Sequence, residues 1–353
     1  MAVDEGGVQR VLLAAPRGFC AGVEMAIKAL AWMVRVFEPP VYCYHEIVHN
    51  QVVVDRFEQL GVVFVDDVST VPPGAPLMLS AHGSAPEVVE AARAKGGAVV
   101  DAVCPLVTKV HHEVKLRAGR GYTVVYVGHA GHDEAIGTMA VAPGAVHLVE
   151  TEADVAALEG VDGPVAFLAQ TTLALDEWKG VLGAAEDRFA GMWVPGRSDL
   201  CFATTNRQAA LKAIAGQADA VVVIGSANSS NTLALGRTAV NAGCPRVLRV
   251  NGPDELPSDL HGVVGVTAGA SAPEELVRAV IERLAPRDGV EEVRVTDEDE
   301  YFPLPRELRD LLRTVSVAAA ASLFAPPAAL EEAAVLPDDR AMAASHALAS
   351  LSL

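Results

Sequence analysis

Hydrophobic and polar positions follow two rhythms along this chain. Short apolar runs rich in β-branched residues, such as Val11–Ala15, "TVVYVG", "VAFLAQ" and "AVVVIG", recur between longer segments in which apolar residues return every three or four positions. The first longer segment places Val23, Ile27 and Leu30 on one side. Continuous apolar runs predict strands buried on both faces, and the 3.6-residue repeat predicts helices. Alternation of the two predicts βα units on parallel sheets, so the expected fold class is α/β.

The turns that follow the runs carry the chemistry. "LMLS" leads to "AHGSAP", "AVVDAV" to "CPLVTK", "TVVYVG" to "HAGHDEA", "VAFLAQ" to "TTLALDEW", "AVVVIG" to "SANSSNT" and "GVVGVT" to "AGASAP". Open α/β sheets bind ligands beyond the carboxyl ends of their strands, so these turns are expected to face a common site. In "PRGFCAGV", residues 16–23, a cysteine stands between Gly18 and Gly22 at a turn of the kind that often holds a phosphate on backbone N–H groups.

Cys20, Cys104 and Cys201 each open a new βα block, as if three similar units contributed one thiol each. No CxxC pair is present, and a chain with this much core does not need a disulfide framework. Cys43 falls inside a predicted strand and Cys244 in a loop, both as structural residues. Three thiolates without a fourth suit an open zinc site or an iron-sulfur cluster with one iron free, and spacing leaves both open.

Histidines sit in the same class of turn: His45 and His49 in "HEIVHN", His82 in "SAHGSAP", His129 and His132 in "GHAGHDEAIGT". With Ser229, Ser230, Asn231 and Ser271 they form a set of donors able to hold a diphosphate without a Walker lysine. Glu134 is the candidate general acid, with Asp133 as its rival; either is also a carboxylate favoured at a helix N-terminus.

Charge narrows the partners. Lys and Arg number 27 against 45 Asp and Glu, a formal net charge of −18, which argues against a nucleic acid or an anionic membrane as main partner. The opening residues carry Asp4 and Glu5 and give no secretory pattern, and the longest uncharged stretch, Thr314–Leu330, is interrupted by Pro326 and Pro327. A soluble, cytoplasmic protein is expected, with 51% hydrophobic content over 353 residues and two or three domains.

"PRGFCAGV", "HEIVHN", "SAHG", "DAVCPLVTKVH", "GHAGH", "QTT", "CFATTNRQ", "GSANSSN", "GVTAGASAP" and "PLPRELR", in this order, resemble the 4-hydroxy-3-methylbut-2-enyl diphosphate reductase (LytB/IspH) family over about residues 10–313. The resemblance implies three similar α/β domains in a trefoil-like arrangement around a central 4Fe-4S cluster with one open iron site. Cys20, Cys104 and Cys201 would bind that cluster. His49, His82 and His132 would line the substrate pocket, Ser229, Ser230, Asn231 and Ser271 would hold the diphosphate, Thr171 would contact the substrate, and Glu134 would deliver the proton. Thr172, Thr204 and Asn206 lie in matching motifs. The activity implied is reductive dehydroxylation of an allylic diphosphate at the last step of the methylerythritol phosphate route, with a ferredoxin or flavodoxin as electron donor. Rival readings are a paralogue acting on a related allylic diphosphate, an iron-sulfur redox sensor, and a zinc hydrolase or nucleotide-sugar enzyme on the same α/β plan.

The expected organisation is a first strand in residues 1–17 that joins the third domain, then domains over 18–104, 105–200 and 201–314, and an Ala-rich, mobile tail over 315–353. Met25, Tyr44 and Ala227 stand where the family commonly has a basic residue, which predicts weaker long-range attraction for an acidic donor or an anionic substrate.

Overall fold

A computed structural model describes residues 7–161, 163–322 and 339–351. The chain runs β1 (Val8–Ala15), α1 (Ala21–Val36), β2 (Val41–Tyr44), α2 (Gln51–Gln59), β3 (Val62–Val65), β4 (Leu77–Leu79), α3 (Pro86–Ala94) and β5 (Val99–Asp101). It continues through α4 (Pro105–Gly119), β6 (Thr123–Val127), α5 (Asp133–Val141), β7 (Val146–Val149), α6 (Glu152–Ala157), β8 (Val165–Ala169) and α7 (Leu175–Arg188). The last part comprises α8 (Phe202–Ala215), β9 (Ala220–Ile224), α9 (Ser230–Asn241), β10 (Val247–Val250), β11 (Gly262–Ala268), α10 (Glu274–Leu284), β12 (Val290–Arg294), α11 (Arg306–Ser322) and a short helix, α12 (Ala344–Ala349). The strands form three sheets, ordered β10-β9-β11-β1-β12, β3-β2-β4-β5 and β7-β6-β8. Every pairing between these strands is parallel, so the α/β expectation holds.

Two compact units divide the chain. Of the described residues, the larger holds those before 21, 49–51 and those between 105 and 299, with the five- and three-stranded sheets; the smaller holds 21–48, 52–104 and those from 300 on, with the four-stranded sheet.

In the larger unit both faces of the five-stranded sheet are covered at its centre, which is why β9 and the Val11–Ala15 part of β1 read as unbroken apolar runs, whereas the edge strand β12 is polar and mostly exposed. Val11 and Leu13 pack with Val277, Val280 and Leu284 of α10, while Leu12 and Ala14 pack with Leu211 and Ile214 of α8 and Leu235 of α9. The three-stranded sheet is sandwiched likewise, by Val181 and Ala185 of α7 on one face and Val110 and Val114 of α4 on the other. β1 lies between β11 and β12, so the first strand belongs to the sheet built by the last third of the chain.

In the smaller unit, Leu77 and Leu79 of β4 pack with Ala92 of α3, and Cys43 is fully buried. Residues 339–351, from the Ala-rich segment expected to be mobile, pack on α1; residues 323–338 and 352–353 lie outside the described residues. The contact is polar as well as apolar. Lys28 Nζ, 3% exposed at the residue level, donates to the Asp339 carbonyl at 3.0 Å, and Tyr301 donates its hydroxyl to Asp339 Oδ2 at 2.7 Å. The Ala344 N–H reaches Glu24 Oε2 at 2.6 Å, and Arg56 Nη2 reaches the Leu351 carbonyl at 2.7 Å. Among the described residues no helix is long and apolar enough to cross a membrane.

Candidate active site

The thiols take up turn positions that backbone geometry fixes. Gly18 has φ +67°, which glycine adopts without strain, and its missing Cβ leaves room for the Ala272 carbonyl. The Gly18 N–H then donates to the Ala268 carbonyl at 3.2 Å and the Cys20 N–H to the Ala270 carbonyl at 3.2 Å. Cys201 is the N-cap of α8: its Sγ accepts the Thr204 N–H at 3.2 Å and lies 3.0 Å from Thr204 Oγ1, while its own N–H donates to the Thr171 carbonyl at 3.0 Å.

Arg207 ties the two cysteine turns together. Fully buried, its guanidinium donates to the carbonyls of Gly18 at 2.8 and 3.0 Å, Phe19 at 3.1 Å and Ala203 at 3.0 Å. Glu298 neutralises it at 2.9 and 3.0 Å and also accepts from Asn206 Nδ2 at 3.0 Å. Burial pushes the Cys201 thiol up to about 11, and the charge of Cys20 adds to the rise, despite the Thr204 bonds and Arg207. Two thiols at preformed turns, close enough for their thiolate charges to repel, are a donor set that a cationic metal group would stabilise as thiolates. All three turn cysteines are free of disulfides and half-buried.

Glu134 stands on the first turn of α5, 2% exposed. Thr171, in the turn after β8, grips its carboxylate with the backbone N–H at 2.7 Å on Oε1 and the hydroxyl at 3.0 Å on Oε2. Burial raises the Glu134 carboxyl to about 7, the Thr171 bonds pull against the rise, and Asp199 adds to it. Asp199, itself raised to about 6 mainly by burial, accepts the Ala169 N–H at 3.1 Å and lies 3.5 Å from Lys109 Nζ. A carboxylic acid poised near neutrality in a desolvated setting is equipped to hold and release a proton.

His132 caps α5 through Nδ1, which accepts the Glu134 N–H at 3.2 Å and leaves the ring proton on Nε2. Burial, reinforced by His49, lowers it to about 4, so it is a neutral donor. His49 meets its ring edge-on, centroids 5.2 Å apart, and its Nε2 lies 3.9 Å from Asp133 Oδ2.

A separate cluster forms where α9 begins. Ser229 is the N-cap and accepts the Thr232 N–H at 3.4 Å, and Ser230 and Asn231 follow in the first turn. Asn231 Oδ1 accepts the Ala270 N–H at 2.9 Å and its Nδ2 donates to Thr204 Oγ1 at 3.3 Å, joining this turn to those after β11 and Cys201. Ser271 donates to the His49 carbonyl at 2.9 Å. Hydroxyls and an amide at the start of a 12-residue helix form an anion-seeking arrangement.

The larger unit thus holds Cys20, Cys201, His132, Glu134, Thr171, Ser229, Ser230, Asn231 and Ser271 in the turns and helix starts of its two sheets, together with His49, whose carbonyl accepts from Ser271 and whose ring meets His132. His82 and Cys104 occupy the equivalent end of the sheet in the smaller unit, after β4 and β5, where the Cys104 N–H donates to the Ala81 carbonyl at 3.0 Å. Cys43 and Cys244 are buried and stand apart from these turns, Cys244 donating to the Arg246 carbonyl at 3.3 Å.

A family model described as LytB protein matches residues 11–285. The chain belongs to the LytB family. Among curated LytB relatives, the 4-hydroxy-3-methylbut-2-enyl diphosphate reductase of Rhodopirellula baltica is 48% identical over 85% of this chain and 96% of its own length. A Mycobacterium bovis protein named 4-hydroxy-3-methylbut-2-enyl diphosphate reductase 2 is 48% identical over 86% of this chain and 95% of its own. In structure the chain is similar to the E-1-hydroxy-2-methyl-but-2-enyl-4-diphosphate reductase of Plasmodium falciparum, with a TM-score of 0.83 and 31% identity over 87% of this chain and 99% of that one. A second solved structure, described as (E)-4-hydroxy-3-methyl-but-2-enyl diphosphate reductase, the terminal enzyme of the non-mevalonate pathway, matches 79% of this chain and 99% of its own, with a TM-score of 0.57 and 31% identity.

Sequence alone does not single out Asp199, Arg207 or Gln170 in this LytB chain, although each lies in or beside a quoted motif. Gln170 accepts the His129 N–H at 2.9 Å and donates to Thr172 Oγ1 at 3.0 Å, locking the turns after β6 and β8. A polar residue inside an otherwise apolar strand-end motif was the available signal.

Proposed function

We propose that this chain is a 4-hydroxy-3-methylbut-2-enyl diphosphate reductase. It would convert the (E)-substrate to isopentenyl and dimethylallyl diphosphates, as the last step of the methylerythritol phosphate route, in the cytoplasm. One observation carries the reading: Glu134, held near neutrality by burial and clamped by Thr171, shares a compact unit with two turn cysteines and the donor-rich start of α9. Each of the three sheets would be the core of one domain, with divisions at residues 104 and 200.

The reaction replaces a C–O bond by a C–H bond, consumes two electrons and two protons and releases water. Cys20, Cys104 and Cys201 would hold a 4Fe-4S cluster with one iron open, which when bound supplies the electrons delivered by a ferredoxin- or flavodoxin-type donor. Ser229, Ser230, Asn231 and Ser271 hold the diphosphate, with His49, His82 and the Nε2–H of His132 as further donors. Glu134 gives a proton to the departing hydroxyl, and Thr171 keeps the carboxyl aimed. The second proton reaches either end of the allyl unit, which accounts for two isomeric products.

The test is turnover of the substrate by anaerobically reconstituted protein, with a chemically reduced viologen as electron source. Five-carbon diphosphate products support the reading. A fully loaded iron-sulfur protein that forms none overturns it.

A further inference from the structure

His129 is absent from the set assigned above, yet its ring has three polar neighbours, Ser230, Glu177 and Arg237. It sits two residues beyond β6 and is half-buried. Its Nε2 lies 3.1 Å from Glu177 Oε1 on α7, and its Nδ1 lies 3.2 Å from Ser230 Oγ. Arg237, on α9 beyond Ser230, approaches both members, with Nη1 3.4 Å from Glu177 Oε1 and Nη2 3.2 Å from His129 Nε2. Ser230 Oγ is also placed to donate its proton to the Thr172 carbonyl at 3.3 Å.

A serine hydroxyl has one proton and two lone pairs. If His129 is neutral with its proton directed at Glu177, Nδ1 accepts the Ser230 proton, and Ser230 meets an incoming phosphate with lone pairs only. If His129 is an imidazolium, Nδ1–H donates to Ser230 Oγ, and the hydroxyl proton, released from the ring, can turn from the Thr172 carbonyl at 3.3 Å to the anion. A third form, neutral with the proton on Nδ1, would let Nε2 accept from Arg237 but would set its lone pair against the Glu177 carboxylate at 3.1 Å, so an ionised Glu177 keeps a proton on Nε2. Burial works against ionisation of Glu177, but the His129 hydrogen bond and the Arg237 guanidinium outweigh it and hold its carboxyl below the usual range. His132, close enough to feel the charge of His129, is itself a neutral imidazole, lowered to about 4 mainly by burial.

We infer that Glu177 and His129 form a relay that turns the Ser230 hydroxyl into a hydrogen-bond donor for a bound diphosphate, with Arg237 fixing the pair. The inference rests on the assignment of Ser230 to the diphosphate. Glu177 and His129 are positioning residues that act through Ser230. Binding of the anion then draws a proton onto His129, so diphosphate affinity is linked to proton uptake.

Calorimetric titration of the reconstituted protein with inorganic pyrophosphate, in two buffers of different ionisation enthalpy, counts the protons taken up. The relay predicts uptake by the wild type and little by Glu177→Gln, with affinity lower by about tenfold, the scale of one charge-assisted hydrogen bond. Glu177→Asp restores part of both. In a Ser230→Ala background, Glu177→Gln adds no further loss, because the two act through one hydroxyl. Multiplying losses, or equal proton uptake in wild type and Glu177→Gln, overturn the relay, as does a wild type that does not bind pyrophosphate. Viologen-driven turnover separates the two ideas: proton-linked pyrophosphate binding without turnover sinks the reductase assignment and leaves the relay, whereas turnover without the linkage does the reverse.

Discussion

Removing the Thr171 hydroxyl isolates the control of Glu134. In Thr171→Val the backbone N–H to Oε1 at 2.7 Å survives, while the hydroxyl bond to Oε2 at 3.0 Å is lost. That bond favours the ionised carboxylate, so its loss favours the acid. A hydrogen bond to a charged group is worth ~1.5–3 kcal/mol, and ~1.4 kcal/mol corresponds to one pH unit. The proton on Glu134, which leaves at about pH 7 in the wild type, should then leave ~1–2 pH units higher. A general acid works only while protonated, so kcat falls as pH rises through its pKa. Viologen-driven kcat measured across roughly pH 6 to 10 should show an alkaline limb in the wild type, the same limb displaced upward in Thr171→Val, and none attributable to this group in Glu134→Gln. The position of the limb is the readout, since Thr171 also contacts substrate in the proposed site and the plateau will fall for that reason. A limb that stays in place or moves to lower pH refutes Glu134 as the acid governed by Thr171.

Four further outcomes follow from the geometry. Because the folded state raises the Glu134 carboxyl from 4.5 to about 7, it retains a proton the unfolded chain releases; its stabilising contribution is present below about pH 4.5 and lost by about pH 7, an effect of about 3 kcal/mol that urea unfolding should show diminished in Glu134→Gln. Arg207→Met strands three carbonyls and Glu298, and should cost ~3–5 kcal/mol in urea unfolding of the metal-free protein; a cost below about 1 kcal/mol would contradict the bracing role. Lys28→Met removes the cation between Glu24 and Asp339, so hydrogen exchange at residues 344–349 should quicken, and unchanged protection would mean apolar packing alone holds α12. With net charge −18 and Met25, Tyr44 and Ala227 at the positions noted, turnover with an acidic donor protein should not fall as salt is raised, whereas steep loss would reveal an attractive surface elsewhere.

The sequence by itself determined the strands, the helices and the class of residue at each turn. Strand runs such as Val221–Ile224 are apolar at every position because both faces of their sheet are covered, and that condition is written locally. Cysteines, serines and asparagine stand in turns because backbone groups there lack helix or sheet partners, and residue type at a turn is also a local property. The pairing of β1 with β11 and β12 was not local, and neither was the brace from Arg207 to Gly18, 189 positions apart in the chain. Glu134 illustrates the limit most plainly. As a letter it is one of two adjacent carboxylates at a helix start; in the fold it is fully enclosed, gripped by Thr171 and pushed up to about 7, while Asp133 keeps to the His49 side. The same division separates His129 as one of several turn histidines from His129 between Glu177 and Ser230. Periodicity and turn chemistry depend on neighbours within a few residues, whereas desolvation and hydrogen-bond partners depend on which distant segments pack around a group. Only the tertiary structure decides those.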